Sequence, residues 1–232
     1  MKNKIFSEEI SKIFDKLKNK EFFSFSKFAD GEWMVMRDIS LDNNEFNYTP
    51  EDVFYKNKLI ESFKFKDDGY FVGVSCPCCQ GQHHYDMVAF SEQNQSNLTY
   101  ANIFVNSNYD FYKDNFINEF KNWDVHLVAN KNAKIENLPF KIEKFYPVEN
   151  TAFKYNYELI EEIKKENPTN KLFLFACGPF GNMLAHQLWE HNKNNTYLDI
   201  GSTLNPWLQS EGFKRDYYDA GILYKNRTCN WG

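Results

Sequence analysis

Short apolar runs recur at 22–28, 70–74, 101–105, 124–129, 140–146, 171–176 and 196–200, and this recurrence limits the fold more than any single motif. Runs this short and this continuously apolar read as strands covered on both faces. Several of the gaps between them carry helical spacing instead. Ser7 can cap a helix reaching to about residue 19, with Ile10, Ile13, Phe14 and Leu17 on its apolar side. Thr49-Pro50-Glu51-Asp52 opens another, with Thr49 as N-cap, Pro50 at the first helical position and Asp52 closing a capping box. The segment 151–165 places Tyr155, Leu159, Ile160 and Ile163 together, and 182–191 turns Met183, Leu184 and Leu188 inward. Strands alternating with helices predict an α/β fold with a mainly parallel sheet flanked by helices. At 232 residues one domain, 1–232, is expected. Ligands of such sheets lie beyond the carboxyl ends of the strands, which directs attention to 29–33, 75–84 and 176–182.

Charge narrows the partners. The net charge of -5, with lysines scattered among glutamates, leaves no basic surplus for gripping a nucleic-acid backbone. No run reaches the length of a membrane span, and the N-terminal MKNKIFSEEISKIF lacks a signal-peptide core, so a soluble, cytoplasmic protein is expected. Five cysteines is an odd number, and Cys76, Cys78 and Cys79 crowd too closely for a disulfide framework.

The stretch FSFSKFADGEW at 23–33 ends an aromatic run on two carboxylates around one glycine. Asp30-Gly31-Glu32 reads either as a solvated strand-ending turn or as a pair of carboxylates converging on a hard cation, Mn2+ or Mg2+, that bridges to a diphosphate. Gly31 would then admit a phosphate close to the backbone. Gly178-Pro179-Phe180-Gly181 follows a strand and opens a helix, where free N–H groups favour an anion, and Asp199 ends the next strand. That pair alone also fits a methyltransferase or another nucleotide-using enzyme, although the G-x-G-x-x-G fingerprint is absent.

The stretch CPCCQGQHH at 76–84 has three readings, one of them a pocket role in which His84 touches phosphate or acceptor. Cys76 and Cys79 have zinc-ligand spacing and His83 or His84 can add a ligand, which would make a zinc-stabilised binding module. With no second half of a ligand set nearby, the expected state is instead three reduced, metal-free thiols packed at the sheet edge. Cys177 can join only through the fold. The C-terminal NRTCNWG reads as a loose or partly packed tail.

Four segments in order, FSFSKFADGEW, FYPVENTAF at 145–153, FACGPFGNMLA at 175–185 and LDIG at 198–201, resemble the signature blocks of the GT-D-type glycosyltransferases. The resemblance implies a single Rossmann-like domain that moves a sugar from a nucleotide-diphosphate sugar to a glycan acceptor with a divalent ion, usually manganese. It implies metal and diphosphate binding at Asp30 and Glu32, and Glu32 can alternatively steer or deprotonate the acceptor. Gly178 would shape the pocket, Asp199 would contact a hydroxyl or activate the acceptor, and Asn182 would supply a polar contact. Lys27 stands where the family usually has arginine, keeping the charge and losing the bidentate fork. Ala29 replaces a usual glycine, and Thr151 is inserted in the second block.

Overall fold

A computed structural model describes residues 3–43, 45–209 and 227–231. Seven strands form one sheet in the order β5-β4-β1-β9-β8-β6-β7: β1 (Ser24–Phe28), β4 (Tyr70–Val74), β5 (Leu98–Tyr100), β6 (Val125–Asn130), β7 (Ile142–Val148), β8 (Leu172–Ala176) and β9 (Thr196–Asp199). Every pairing within it is parallel. A separate antiparallel pair, β2 (Leu41–Asp42) and β3 (Asn47–Tyr48), makes a small hairpin. The architecture is the expected α/β one, a mostly parallel sheet flanked by helices in Rossmann-like fashion.

The helices are α1 (Phe6–Lys18), α2 (Asp30–Met36), α3 (Val53–Lys64), α4 (Pro77–Gln80), α5 (Gln82–Ser91), α6 (Tyr109–Phe111), α7 (Ile117–Glu119), α8 (Ala152–Tyr155), α9 (Leu159–Glu166), α10 (Pro179–His191) and α11 (Asn205–Leu208). Ten of the 13 residues of α10 are buried, so it is a core helix rather than an amphipathic surface one. It is tied to β1 by the Ser24 hydroxyl, which donates to the Ala185 carbonyl at 2.8 Å. The abundant aromatics fill the space between sheet and helices. Phe173, for example, stacks on Tyr197 with ring centres 5.1 Å apart. Among the described residues no helix is long and apolar enough to cross a membrane.

The first helix starts at Phe6 with Ile5, not Ser7, at its N-cap position and no side-chain cap bond. Three further elements depart from the sequence expectation, each for a local reason. The strand expected at 101–105 lies at 98–100. It is an edge strand pairing with β4, which ends at Val74, and the Ala101 N–H takes the last carbonyl on offer, that of Val74. The helix expected over 151–165 is broken into α8 and α9. The Asn156 side chain accepts the Glu149 N–H at 2.9 Å, a local side-chain bond that competes with helix continuation. The Thr49 N–H donates to the Asp52 carboxylate at 2.8 Å as the capping box requires, yet residues 49–52 close a turn and α3 begins at Val53.

Candidate functional site

With the whole sheet parallel, the carboxyl ends of its strands share one edge. β1 lies inside the sheet between β4 and β9, so Asp30 after β1, Cys76 after β4, Gly178 after β8 and Asp199 at the end of β9 come to the same side. The centre of this edge holds a cluster of charge. Asp199 is 2% exposed and its carboxylate accepts two backbone N–H groups, from Lys27 on the neighbouring strand and from Gly201, each at 3.2 Å. Burial pushes its carboxyl up to about 7, the Lys27 ammonium pulls it down, and the Glu32 carboxylate pushes it up again. Glu32 is also raised, chiefly by burial, and again Lys27 opposes the shift. Lys27, Glu32 and Asp199 thus form one electrostatic unit, two buried carboxyl groups sharing a lysine.

Gly201 makes room for that lysine. Its φ of +54° lies in the left-handed region, and a Cβ there would fall 2.6 Å from the Lys27 Cε and 3.2 Å from its Nζ. Gly178 also has positive φ, +58°, where the chain leaves β8 for α10. The Phe46 ring, from the turn between β2 and β3, lies against both Gly178 and Gly31. In this structure those two glycines accommodate an aromatic ring. Asn182 is fully buried and its amide donates to the Lys27 carbonyl at 2.7 Å and the Ser26 hydroxyl at 3.0 Å, holding the end of β1, while its Oδ1 has no protein partner. Cys177 borders the cluster. Burial and the nearby Asp199 hold its thiol well above the ordinary range, which removes it as a ready nucleophile.

The expected Mn2+ or Mg2+ site on Asp30 and Glu32 is corrected here. Asp-Gly-Glu is neither a turn nor a convergent pair but the first turn of α2, with Trp33 N–H bonded to the Ala29 carbonyl at 3.0 Å. Residues two apart on a helix point to nearly opposite sides. Asp30 is accordingly exposed, whereas Glu32 is buried and its carboxylate turns back to accept the Ala29 N–H at 2.8 Å. Among the described residues the side chains that do converge as metal ligands are four thiols, Cys76, Cys78, Cys79 and Cys229, whose sulfurs all lie within 4.8 Å of one another. An all-sulfur set suits a thiophilic ion such as zinc, while Mn2+ and Mg2+ take oxygen ligands.

This also corrects the expectation that the three clustered thiols have no second half of a ligand set. The missing ligand comes from the C-terminal tail, about 150 residues away in sequence. The available signal was Cys229 itself, a cysteine in the tail with no other assignment. His84 is not a ligand of this group. Its Nδ1 bonds the Ser75 carbonyl at 2.7 Å and its ring packs on Trp231. His83 and Asp86 pair loosely on the exposed side of α5.

A groove of about 400 Å³ opens at the carboxyl ends of β6 and β7. Asn130, Asn132, Asn150, Lys131, Glu149 and the exposed ring of Tyr155 line it. Asn130 donates to Asn150 at 2.7 Å, and Lys131 pairs with Glu149 at 2.8 Å.

No family model and no curated protein matches the sequence. Solved structures do match in shape. One is described as the domain of unknown function 1792 with a distinct glycosyltransferase fold; the TM-score is 0.63 at 14% identity, over 93% of this chain and 87% of that one. Another, described as a new glycosyltransferase of the same domain type from Streptococcus sanguinis, gives 0.61 at 13% identity, over 96% and 92% of the two chains. The protein therefore has a glycosyltransferase fold.

Proposed function

We propose that this protein transfers a sugar from a nucleotide-diphosphate sugar to a glycan acceptor, with the edge around β1 and β9 as its active site. The observation that carries the reading is the Lys27–Glu32–Asp199 unit, with both carboxyl groups buried, set at the strand-end edge where ligands of such sheets bind. Transfer needs a base for the acceptor hydroxyl and counter-charge for the departing diphosphate. Asp199, titrating near 7, has the basicity that lets one group take a proton and later release it at neutral pH. The nearby Glu32 carboxylate helps to keep that basicity high. The Lys27 ammonium, held over Gly201, supplies positive charge, and the N-terminal end of α10 lies on the same edge. The groove at the ends of β6 and β7 suits a glycan acceptor, because amides and a carboxylate bond hydroxyls and the Tyr155 ring offers a sugar a stacking face.

A panel of nucleoside diphosphate sugars, scored by melting temperature, tests the proposal. A ligand that binds only the native state raises that temperature by mass action. One donor or a related set should stabilise the wild type, and Lys27→Met should weaken the effect. A panel that leaves the melting temperature unmoved would remove nucleotide sugars as substrates.

A further inference from the structure

The four thiols are a built ligand set, and they stand apart from the charged unit just described. Cys76 follows Ser75 at the carboxyl end of β4, Cys78 and Cys79 lie on α4, and Cys229 lies in the C-terminal segment 227–231. Cys76 and Cys229 are buried while Cys78 and Cys79 are exposed, so the group straddles the surface and an ion can reach it. A tetrahedral zinc with bonds of about 2.3 Å places its sulfurs about 3.8 Å apart. Cys76 and Cys78 stand at 3.0 Å, and no pair exceeds 4.8 Å. Shifts of about 1 Å or less, within the reach of side-chain rotation, bring all four onto one ion.

The surroundings suit thiolates. Asn102 points its amide N–H at the Cys229 sulfur from 2.8 Å, and Asn106 does so from 3.5 Å. Such outer donors spread the negative charge of metal-bound sulfur and fix its direction. A zinc tetrathiolate carries a net charge of about minus two. The cation Arg227, whose guanidinium donates to the Cys78 carbonyl at 3.1 Å, stands where it offsets part of that charge.

The site also has something to hold. Segment 227–231 meets the rest of the protein through an isolated bridge between Asn230 and Ile5, a bond from Ser107 N–H to the Arg227 carbonyl, and the buried ring of Trp231. Trp231 packs edge-on against His84 at 4.7 Å and Tyr100 at 5.1 Å. Its indole N–H and the His84 Nε2 are both buried without a protein partner, which weighs against docking the segment on packing alone.

We propose that Cys76, Cys78, Cys79 and Cys229 bind one zinc ion in a closed tetrathiolate site that clasps the C-terminal segment to the loop after β4. The clasp is structural: all four positions of the ion are filled by protein sulfur, which leaves none for a substrate or an activated water. Cys177, on the far side of β1 and β9, takes no part. The proposal does not depend on the glycosyltransferase reading.

Full-length protein purified with reductant should contain one zinc per chain by elemental analysis, with one thiol titratable in the native protein and five once it is unfolded in the presence of a chelator. Replacing zinc with Co2+ should give the visible absorption of tetrahedral cobalt bound by four thiolates. Cys229→Ser should lose that spectrum and Cys177→Ser should keep it. Removing the ion with a chelator should speed amide exchange in 227–231 about tenfold or more while β1 and β8 stay protected. The cobalt spectrum needs only the wild type, so a Cys229→Ser variant that fails to fold leaves the test intact. Protein that reaches full reactivity of all five thiols without releasing metal, or that shows two disulfides among the four cysteines, would overturn the site. Unchanged exchange in 227–231 after metal removal would overturn the clasp.

Discussion

Replacing Asp199 with asparagine should destabilise the protein in acid and stabilise it above neutrality. The carboxyl group ordinarily titrates at 3.8, and burial among Lys27, Glu32 and two backbone N–H groups carries it to about 7. The native state therefore keeps a proton that the unfolded chain gives up near pH 4. Below about pH 4 both states are protonated and the burial costs nothing. As the pH rises toward 7 the native state loses ground steadily, and above about pH 7 the ionised group costs about 4 kcal/mol.

Asparagine does not titrate, so that cost disappears. It introduces another, because each Asp199 oxygen accepts one backbone N–H and the new NH2 must face one of those donors. A buried donor left unpaired costs about 1–3 kcal/mol. The variant should thus be about 1–3 kcal/mol less stable than the wild type near pH 4 and about 1–3 kcal/mol more stable near pH 8. Urea unfolding followed by circular dichroism across that range measures the difference, with a constant denaturant slope as the two-state control. A stability difference that does not change with pH would refute the reasoning, since it would mean that Asp199 is not held protonated by its surroundings.

Lys27→Met removes the cation that favours the charged forms of both carboxyl groups, so Asp199 should titrate above 7. The acidic limb of the kcat/KM profile should move to higher pH and sugar transfer should fall about 10²–10³-fold. Gly201→Ala forces a Cβ into the Lys27 side chain at positive φ, which should cost about 1–3 kcal/mol in urea unfolding and lower turnover as well. Asn182→Leu removes the two hydrogen bonds that hold the end of β1 and should cost about 2–4 kcal/mol, read as a lower urea midpoint with an unchanged slope.

The sheet was legible because its strands are buried on both faces and therefore continuously apolar, as LFLFA in β8 shows. The shared edge followed, since parallel strands align their carboxyl ends. The local meaning of Asp30-Gly31-Glu32 was not legible. A strand-ending turn and a helix start use the same residues, and the bond from Trp33 N–H to the Ala29 carbonyl shows which one formed. Once the segment is helical its two carboxylates diverge, and the divalent-ion site goes with them. Asp199 was singled out from its place at a strand end, but its partnership with Lys27 depends on β1 and β9 being neighbours, which is a fact of topology. Cys229 stayed hidden for the same reason. A ligand brought from the far end of the chain leaves no spacing motif, only an unassigned cysteine.

The central claim is that Asp199 and Lys27 serve sugar transfer, and pH-resolved turnover of the best-binding nucleotide sugar tests it most directly. The wild type should transfer or hydrolyse that donor with a rate that rises through about pH 7, and Asp199→Asn, folded by circular dichroism, should lose about 10²–10⁴-fold of it at every pH. Asp199→Asn turning over the donor at the wild-type rate, or wild-type protein that leaves every nucleotide sugar intact, would contradict the claim.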